Sequence, residues 1–446
     1  MKNKNSLSRR NFLTKSALSA GAVGLGLVQV QGAELKSTEK GSDGDQSPIN
    51  IAEEKPKTNS DGKVIAPSPL IYINTLFDNG SPLFWNIESD GKITIELLYD
   101  YERNTINRAN SHWHFQLLAK PGSDLTLVLK NFYNIWNGYL DLTDATEETI
   151  CFVSEDGLNW KSIQTKLLDG QKLEVKVHMN SESLFVSRLE PYGLSDLELL
   201  KAEIAKHSLV KITEIGKTFE GRPLEIIRIG HSDAPYRVFI RSRAHAWEVG
   251  GNWVVQGLIR SLISDSFKSN RYLDRYAVYI MPMANKDRVV RGGTRFTVGG
   301  VNLNRNWDKA ADPKYNPENA ALETWLEQMI KHGLRPDLAI DIHNDGQGNL
   351  HFSHPSVNLE KYMNNMNRFE KILRKHTWYT EGAKKSSFKN SGTFGEGLVE
   401  RYGIDAFIYE LNANWIEGLS KVPYGEDWEL LGKQLKEVFY DYFKNE

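Results

Sequence analysis

From about residue 191 onward, short apolar runs of strand length alternate with longer runs of helical period. That alternation restricts the second half of the chain to a sheet covered by helices. The strand-like runs are 224–229, 237–241, 276–281, 338–342 and 406–411, and the helical ones are 194–208, 253–263, 318–331, 359–376 and 428–443. Strands this uniformly apolar are buried on both faces, so the sheet is expected to be mainly parallel. In such sheets chemistry gathers beyond the carboxyl ends of the strands.

The first half has a different rhythm. Between about 65 and 190, β-like runs (92–99, 112–118, 125–129, 150–153, 173–177) are separated by Asp90-Gly91, Pro121-Gly122 and Asp156-Gly157. This spacing predicts an antiparallel β-sandwich. The expected organisation is therefore a leader over 1–33, a polar lead-in over 34–64, a β-sandwich over 65–190 and an α/β/α domain with a mixed, mainly parallel sheet over 191–446.

The leader reads as an export signal. Ser8-Arg9-Arg10-Asn11-Phe12-Leu13-Thr14-Lys15, followed by a mild apolar run to Val30, has the charged, apolar, small-residue order of such segments. The paired arginines resemble a twin-arginine (Tat) signal, which implies delivery to the periplasm or outside the cell, already folded. Its removal would take away five cations and no acid, moving the formal charge from −2 to −7. An acidic chain of this kind is expected to have neither nucleic acid nor an anionic membrane as partner. No later run is long and apolar enough for a membrane span. With Cys151 as the only cysteine, thiolate metal sites and intrachain disulfides are excluded, so any metal must sit on His, Asp or Glu.

Three expected strand ends carry matching chemistry. His245 and Glu248, three apart, follow the strand 237–241; His343 ends the strand 338–342; Glu410 lies near the end of the strand 406–411. Alone, His-x-x-Glu describes a solvated helix face as well as a ligand pair. With His343 it makes two imidazoles and one carboxylate with an open fourth position, the catalytic rather than the structural zinc pattern. Between them runs a loop, 285–308, rich in Gly, Arg and Asn and poor in core residues, and long loops in compact domains are often functional.

The ordered set His245-x-x-Glu248, Asn302-Leu-Asn-Arg305-Asn-Trp, Asp341-Ile-His343 and a strand ending in Glu410 resembles the zinc carboxypeptidases of the carboxypeptidase A-like clan. A sandwich placed ahead of the catalytic half is similar to the cytosolic carboxypeptidase branch and its bacterial relatives. The resemblance implies one zinc ion held by His245, Glu248 and His343, with Glu410 as general base. It further implies Arg295 as the oxyanion-stabilising arginine, and Asn304 and Arg305 as the receivers of a peptide's free terminal carboxylate. Phe388 falls where a mobile tyrosine closes on the substrate. The implied activity is an exported metallocarboxypeptidase that hydrolyses the C-terminal peptide bond.

Several positions depart from that pattern. Asn302 stands where an aspartate orients the first histidine, Phe388 lacks the tyrosine hydroxyl, and Lys286 and Arg288 replace the Pro and Gly of the Asn-Pro-Asp-Gly turn. Gly395 or Phe394 stands where the deglutamylating branch has an arginine, so removal of glutamate is not expected; Phe388 and Phe394 suit apolar or aromatic ends. His351 and His354 fit channel or surface roles, His112 and His114 a sandwich interior, and Glu396, Glu400 and Glu417 solvated or rim positions. Two other readings share the residues: a zinc amidase acting on cell-wall peptides or N-acyl amino acids, and a peptide- or glycan-binding protein whose catalytic half is degenerate. The presence of all three ligands, the base and both arginines weighs against the last.

Overall fold

A computed structural model describes residues 68–141, 145–264, 271–356, 358–385 and 392–444. The expected leader and lead-in, and Phe388, lie outside the described residues.

The first half is built from two five-stranded sheets and a small four-stranded one. Strands such as Ile93–Leu97 and Asp124–Lys130 bury every second side chain, and Ile93, Ile95, Leu97, Leu125, Leu127 and Leu129 meet Trp113, Phe115 and Leu117 in one core. One pairing departs from the antiparallel expectation: Ile93–Leu97 runs parallel to Asp124–Lys130. Its physical basis is the connection, which passes through the small sheet and then through His114–Ala119 in the opposite sheet, giving the long crossover that a parallel pair requires.

The second half is an eight-stranded mixed sheet. In spatial order its strands are Val210–Lys217, Pro223–Ile229, Tyr276–Met281, Tyr236–Ser242, Leu338–Asp345, Asp405–Asn412, Leu350–Phe352 and Ala383–Lys385. The central four are mutually parallel. Alternate residues of these strands feed two cores. Val238, Ile240, Ile340 and Ile342 pack with the helices Leu194–Ile204, Gly250–Ile263, Leu359–His376 and Gly425–Tyr442, while Phe239, Ala277, Ala339 and Ala406 pack with Pro317–Lys331 and Phe394–Tyr402. Burial on both faces is why these strands read as unbroken apolar runs.

The halves share a core: Ile150, Phe152, Trp160 and Leu189 belong to the same buried cluster as the helices of the second half. Residues 69–88 and 92–446 accordingly form one compact unit. Among the described residues no helix is long and apolar enough to cross a membrane.

Candidate active site

His245 and Glu248 lie in the turn between the strand Tyr236–Ser242 and the helix Gly250–Ile263, ahead of that helix rather than on it. Arg243 starts the turn in a left-handed conformation (φ 59°). Its buried guanidinium then donates to the Ala246 carbonyl (2.7 Å) and to Asn252 Oδ1 (2.9 Å), fixing the loop that carries both residues. His343 lies within the strand Leu338–Asp345, two residues beyond Asp341.

These elements bring the three residues together. His245 Nδ1 lies 2.7 Å from Glu248 Oε1, His343 Nδ1 lies 2.7 Å from Glu248 Oε2, and the two imidazole Nδ1 atoms are 3.2 Å apart. All are buried, and one donor atom from each falls within 4.8 Å of the others, the only such cluster of His, Cys, Asp and Glu among the described residues. The outward nitrogens are oriented as well: His245 Nε2 faces Asn302 Oδ1 at 3.1 Å and His343 Nε2 faces Asp341 Oδ2 at 2.7 Å. Two inward nitrogens, one carboxylate and a second layer that fixes the rings make a donor set suited to zinc.

Electrostatics agree with that reading. Burial opposes charge on Glu248, but the two imidazoles hold its carboxyl down at about 2. Burial also opposes charge on His343, yet Asp341 and Glu248 push its basicity well above the ordinary range. At His245 burial, and next the Arg295 charge, lower it to about 4. The pull for positive charge is therefore concentrated between Glu248 and His343, where a divalent cation would satisfy it as a proton does.

Glu410 is the direct cross-strand partner of His343 in adjoining parallel strands. It lines the main cavity, of about 760 Å³, together with Trp247, Glu248, Arg295 and Asp345. Its Oε2 is buried with no hydrogen-bond partner among the described residues. Burial raises its basicity strongly; Asp345 and Glu248 add to this, while His343 and Arg295 counteract it. Arg295 also has a buried, unpartnered Nε, and its guanidinium lies 5.3 Å from the Trp136 ring centre.

Asn304, buried, and Arg305, half-buried, are not among the residues lining this cavity. Asn304 Oδ1 accepts from the backbone N–H of Phe394 (2.9 Å), and Arg305 Nη1 donates to the Asn304 carbonyl (2.7 Å). Burial and the charge of Arg295 lower the Arg305 guanidinium to about 10, with Glu410 among the groups opposing the shift. The other histidines stay apart from the cluster. His114 packs edge-on against Phe77 and Trp160, on the face of its strand opposite to Phe115 and Leu117, so it lies outside the sandwich interior expected for it and against the core shared with the second half. His354 lines a separate cavity of about 280 Å³ with Asp308, Glu396 and Glu400. Glu396 caps the helix Phe394–Tyr402.

Two contributions were not read from the sequence. Asp341 holds His343 and is itself gripped by Arg241, whose Nε and Nη2 reach its two oxygens at 2.8 and 2.5 Å. A signal was available, because a charged residue in the middle of a buried apolar strand must be paired. The second is the part of the cavity lining that the first half supplies through Asn134, Trp136 and Arg188. No short-range pattern announces that.

Two family models match the chain: zinc carboxypeptidase over residues 197–392 and cytosolic carboxypeptidase N-terminal domain over residues 73–188. Glu410 lies beyond the first match. A protein of Zymomonas mobilis, ZMO1242, is 26% identical over 282 residues, covering 62% of this chain and 68% of its own length. Mouse cytosolic carboxypeptidase 1 is 34% identical over 83 residues, 19% of this chain and 7% of that protein. The matches span 6% to 26% of the cytosolic carboxypeptidases, so most of each relative has no counterpart in the alignment. Among solved structures, a metallo-carboxypeptidase from Burkholderia cenocepacia superposes with a TM-score of 0.71 at 19% identity, over 83% of this chain and 98% of that one. A metallo-carboxypeptidase from Pseudomonas aeruginosa, in complex with (2-guanidinoethylmercapto)succinic acid, gives 0.70 at 19%, over 84% and 100%. These likenesses establish a shared fold for both halves.

Proposed function

The chain belongs to the zinc carboxypeptidase family and carries the N-terminal domain of its cytosolic branch; from that premise we propose that it is a metallocarboxypeptidase hydrolysing the C-terminal bond of peptides. His245, Glu248 and His343 would hold the zinc. A zinc ion there supplies a Lewis acid for the scissile carbonyl and lowers the pKa of water toward ~7.

The remaining chemistry falls to the chain's own groups. Glu410 accepts a proton from the attacking water and returns it to the departing amine. Its burial makes it a stronger base than an exposed carboxylate, and that suits transfer near neutral pH. Arg295 turns a fixed positive charge toward the oxygen on which negative charge develops, where preorganised donors contribute most. Arg305, with Asn304, receives the terminal carboxylate and so confines cleavage to the chain end. Arg9-Arg10 and the apolar run after them support export by the Tat route, so the substrates would be peptides met in the periplasm or outside the cell.

The observation that carries this reading is Glu410 set directly across from His343 with a buried, unpartnered oxygen. The test is to incubate the purified, zinc-loaded protein with a peptide library and a muropeptide library and identify products by mass spectrometry. Single amino acids released from the C-termini of ordinary peptides support the proposal. Products only from muropeptides or N-acyl amino acids would replace it with an amidase.

A further inference from the structure

The loop that bears Arg295 is held from both halves of the chain: the Trp247 N–H donates to the Thr294 carbonyl (2.9 Å) and Asn285 Nδ2 to the Arg295 carbonyl (3.1 Å), while the backbone N–H groups of the same two residues are taken by the first half. Asp100, in the small four-stranded sheet, is buried and accepts backbone N–H bonds from Thr294 (2.9 Å) and Arg295 (2.6 Å) through Oδ2. Its charge is balanced by Arg288, whose Nε lies 3.7 Å away and also donates to the Phe296 carbonyl at 3.0 Å. Two strands along the same sheet, Trp136 lies beside the Arg295 guanidinium and meets Phe296 edge-on at 6.1 Å.

Register explains how one small sheet reaches both points. Asp100 pairs with Ala109, while Arg108, the neighbour of Ala109, pairs with Ile135, the neighbour of Trp136. Asp100, Ala109, Asn134 and Trp136 therefore share a face, opposite to that of Arg108 and Ile135. Ala109, Asn134 and Trp136 line the cavity, so this is the face turned toward the catalytic half.

Gly292 falls where the first half presses close: a Cβ there, at φ +58°, would meet the Gly80 carbonyl oxygen at 2.1 Å. One on Gly293 would meet the Arg288 side chain at 2.0 Å and come within 2.9 Å of Asp100 Oδ1, the ion pair that backs the loop. Asn79 completes the grip, its Nδ2 donating to the Val289 carbonyl at 3.0 Å.

We propose that the first half is a working part of the active site: Asp100 and Trp136 are positioning residues that hold Arg295 against the reacting carbonyl. This rests on the proposed hydrolase reading and on the oxyanion role of Arg295 within it. Asp100 fixes the backbone from which the side chain springs, and Trp136 limits the swing of the guanidinium by a cation–π contact within the cavity that Glu248 and Glu410 also line. A group placed for the transition state acts only while its geometry is held.

The test is a double-mutant cycle in the full-length, zinc-loaded protein, with Asp100→Asn and Trp136→Leu, each alone and combined with Arg295→Ala. Expected are a kcat about 10- to 100-fold lower for each positioning variant, a KM within about twofold of wild type, an unchanged zinc content, and no further loss in the Arg295→Ala background. A second readout uses calorimetry on Glu410→Gln protein. Asp100→Asn should weaken binding of a peptide phosphonate, which mimics the tetrahedral state, about tenfold while leaving the uncleaved peptide unaffected. Losses that multiply with that of Arg295→Ala, or equal weakening for phosphonate and peptide, would overturn the positioning role and leave the hydrolase reading intact. Full activity in Arg295→Ala would overturn both the oxyanion assignment and this inference. If Asp100→Asn fails to fold, Trp136→Leu decides through the same cycle.

Discussion

His343 and Glu410 are direct partners across two adjacent parallel strands, so a ligand-type imidazole and a base-type carboxylate are fixed on one face by backbone register alone. The arrangement needs no loop to hold it, and sites carried on strands are more rigid than sites on loops. Glu410→Gln keeps the shape and removes the proton acceptor. Turnover should fall about 10²- to 10⁴-fold, with zinc still bound near one per chain by elemental analysis. Wild-type turnover in this variant would reject Glu410 as the base.

The second layer of the metal site is asymmetric. His343 is backed by the charged Asp341, which Arg241 grips with two hydrogen bonds, whereas His245 is backed by the neutral Asn302. Asp341→Asn should weaken zinc binding about 10- to 100-fold in a chelator competition. It should also lower the melting temperature, because Arg241 is wholly buried and loses its counter-charge. Asn302→Asp should act in the opposite sense on zinc affinity, as a carboxylate makes the imidazole it touches a stronger ligand. Equal affinities in all three proteins would show that this layer does not tune the metal.

Arg305 is half-buried and donates one hydrogen bond to the carbonyl of its neighbour Asn304. Its proposed role concerns the substrate carboxylate, which is present in ground and transition states alike. Arg305→Ala should therefore raise KM by about 10- to 100-fold, the worth of hydrogen bonds to a charged group, and leave kcat nearly unchanged. The measurement is steady-state kinetics on a short peptide, with its C-terminally amidated form as control. A fall in kcat at constant KM would move Arg305 from binding to transition-state stabilisation.

How much of this was legible depends on how local the signal is. The central strands Tyr276–Met281 and Leu338–Asp345 are buried on both sides and announce themselves as apolar runs, and the helix Leu359–His376 shows its period over eighteen residues. Val210–Lys217 went unread because only scattered positions are covered, and Leu350–Phe352 and Ala383–Lys385 because three residues carry no period. The helix Phe394–Tyr402 has glycines at Gly395 and Gly397, which weaken the helical pattern that its Thr393 cap supports. His245, Glu248, His343 and Glu410 could be found because each follows or ends a readable strand. Asp100 and Trp136 could not, because their link to Arg295 crosses some 160 to 195 positions of chain and depends on how the two halves pack.

Glu318 gives the fold a pH dependence independent of the metal site. It lies in the first turn of the helix Pro317–Lys331 and is 2% exposed; one carboxyl oxygen accepts from the Phe219 N–H, and the other has no partner among the described residues. Burial pushes its carboxyl up to about 7, and nearby Asp287 adds to the rise. In the unfolded chain the same group titrates near 4.3, so between roughly pH 4.5 and 7 the folded protein holds a proton that the unfolded chain has released. Stability then falls as pH rises through that window, by about 4 kcal/mol for this group if its full shift is expressed. Glu318→Gln stays neutral throughout and removes that slope. Its melting temperature should match wild type near pH 4.5 and exceed it by several degrees at pH 8, and parallel curves for the two proteins between those limits would show that Glu318 is ionised in the fold.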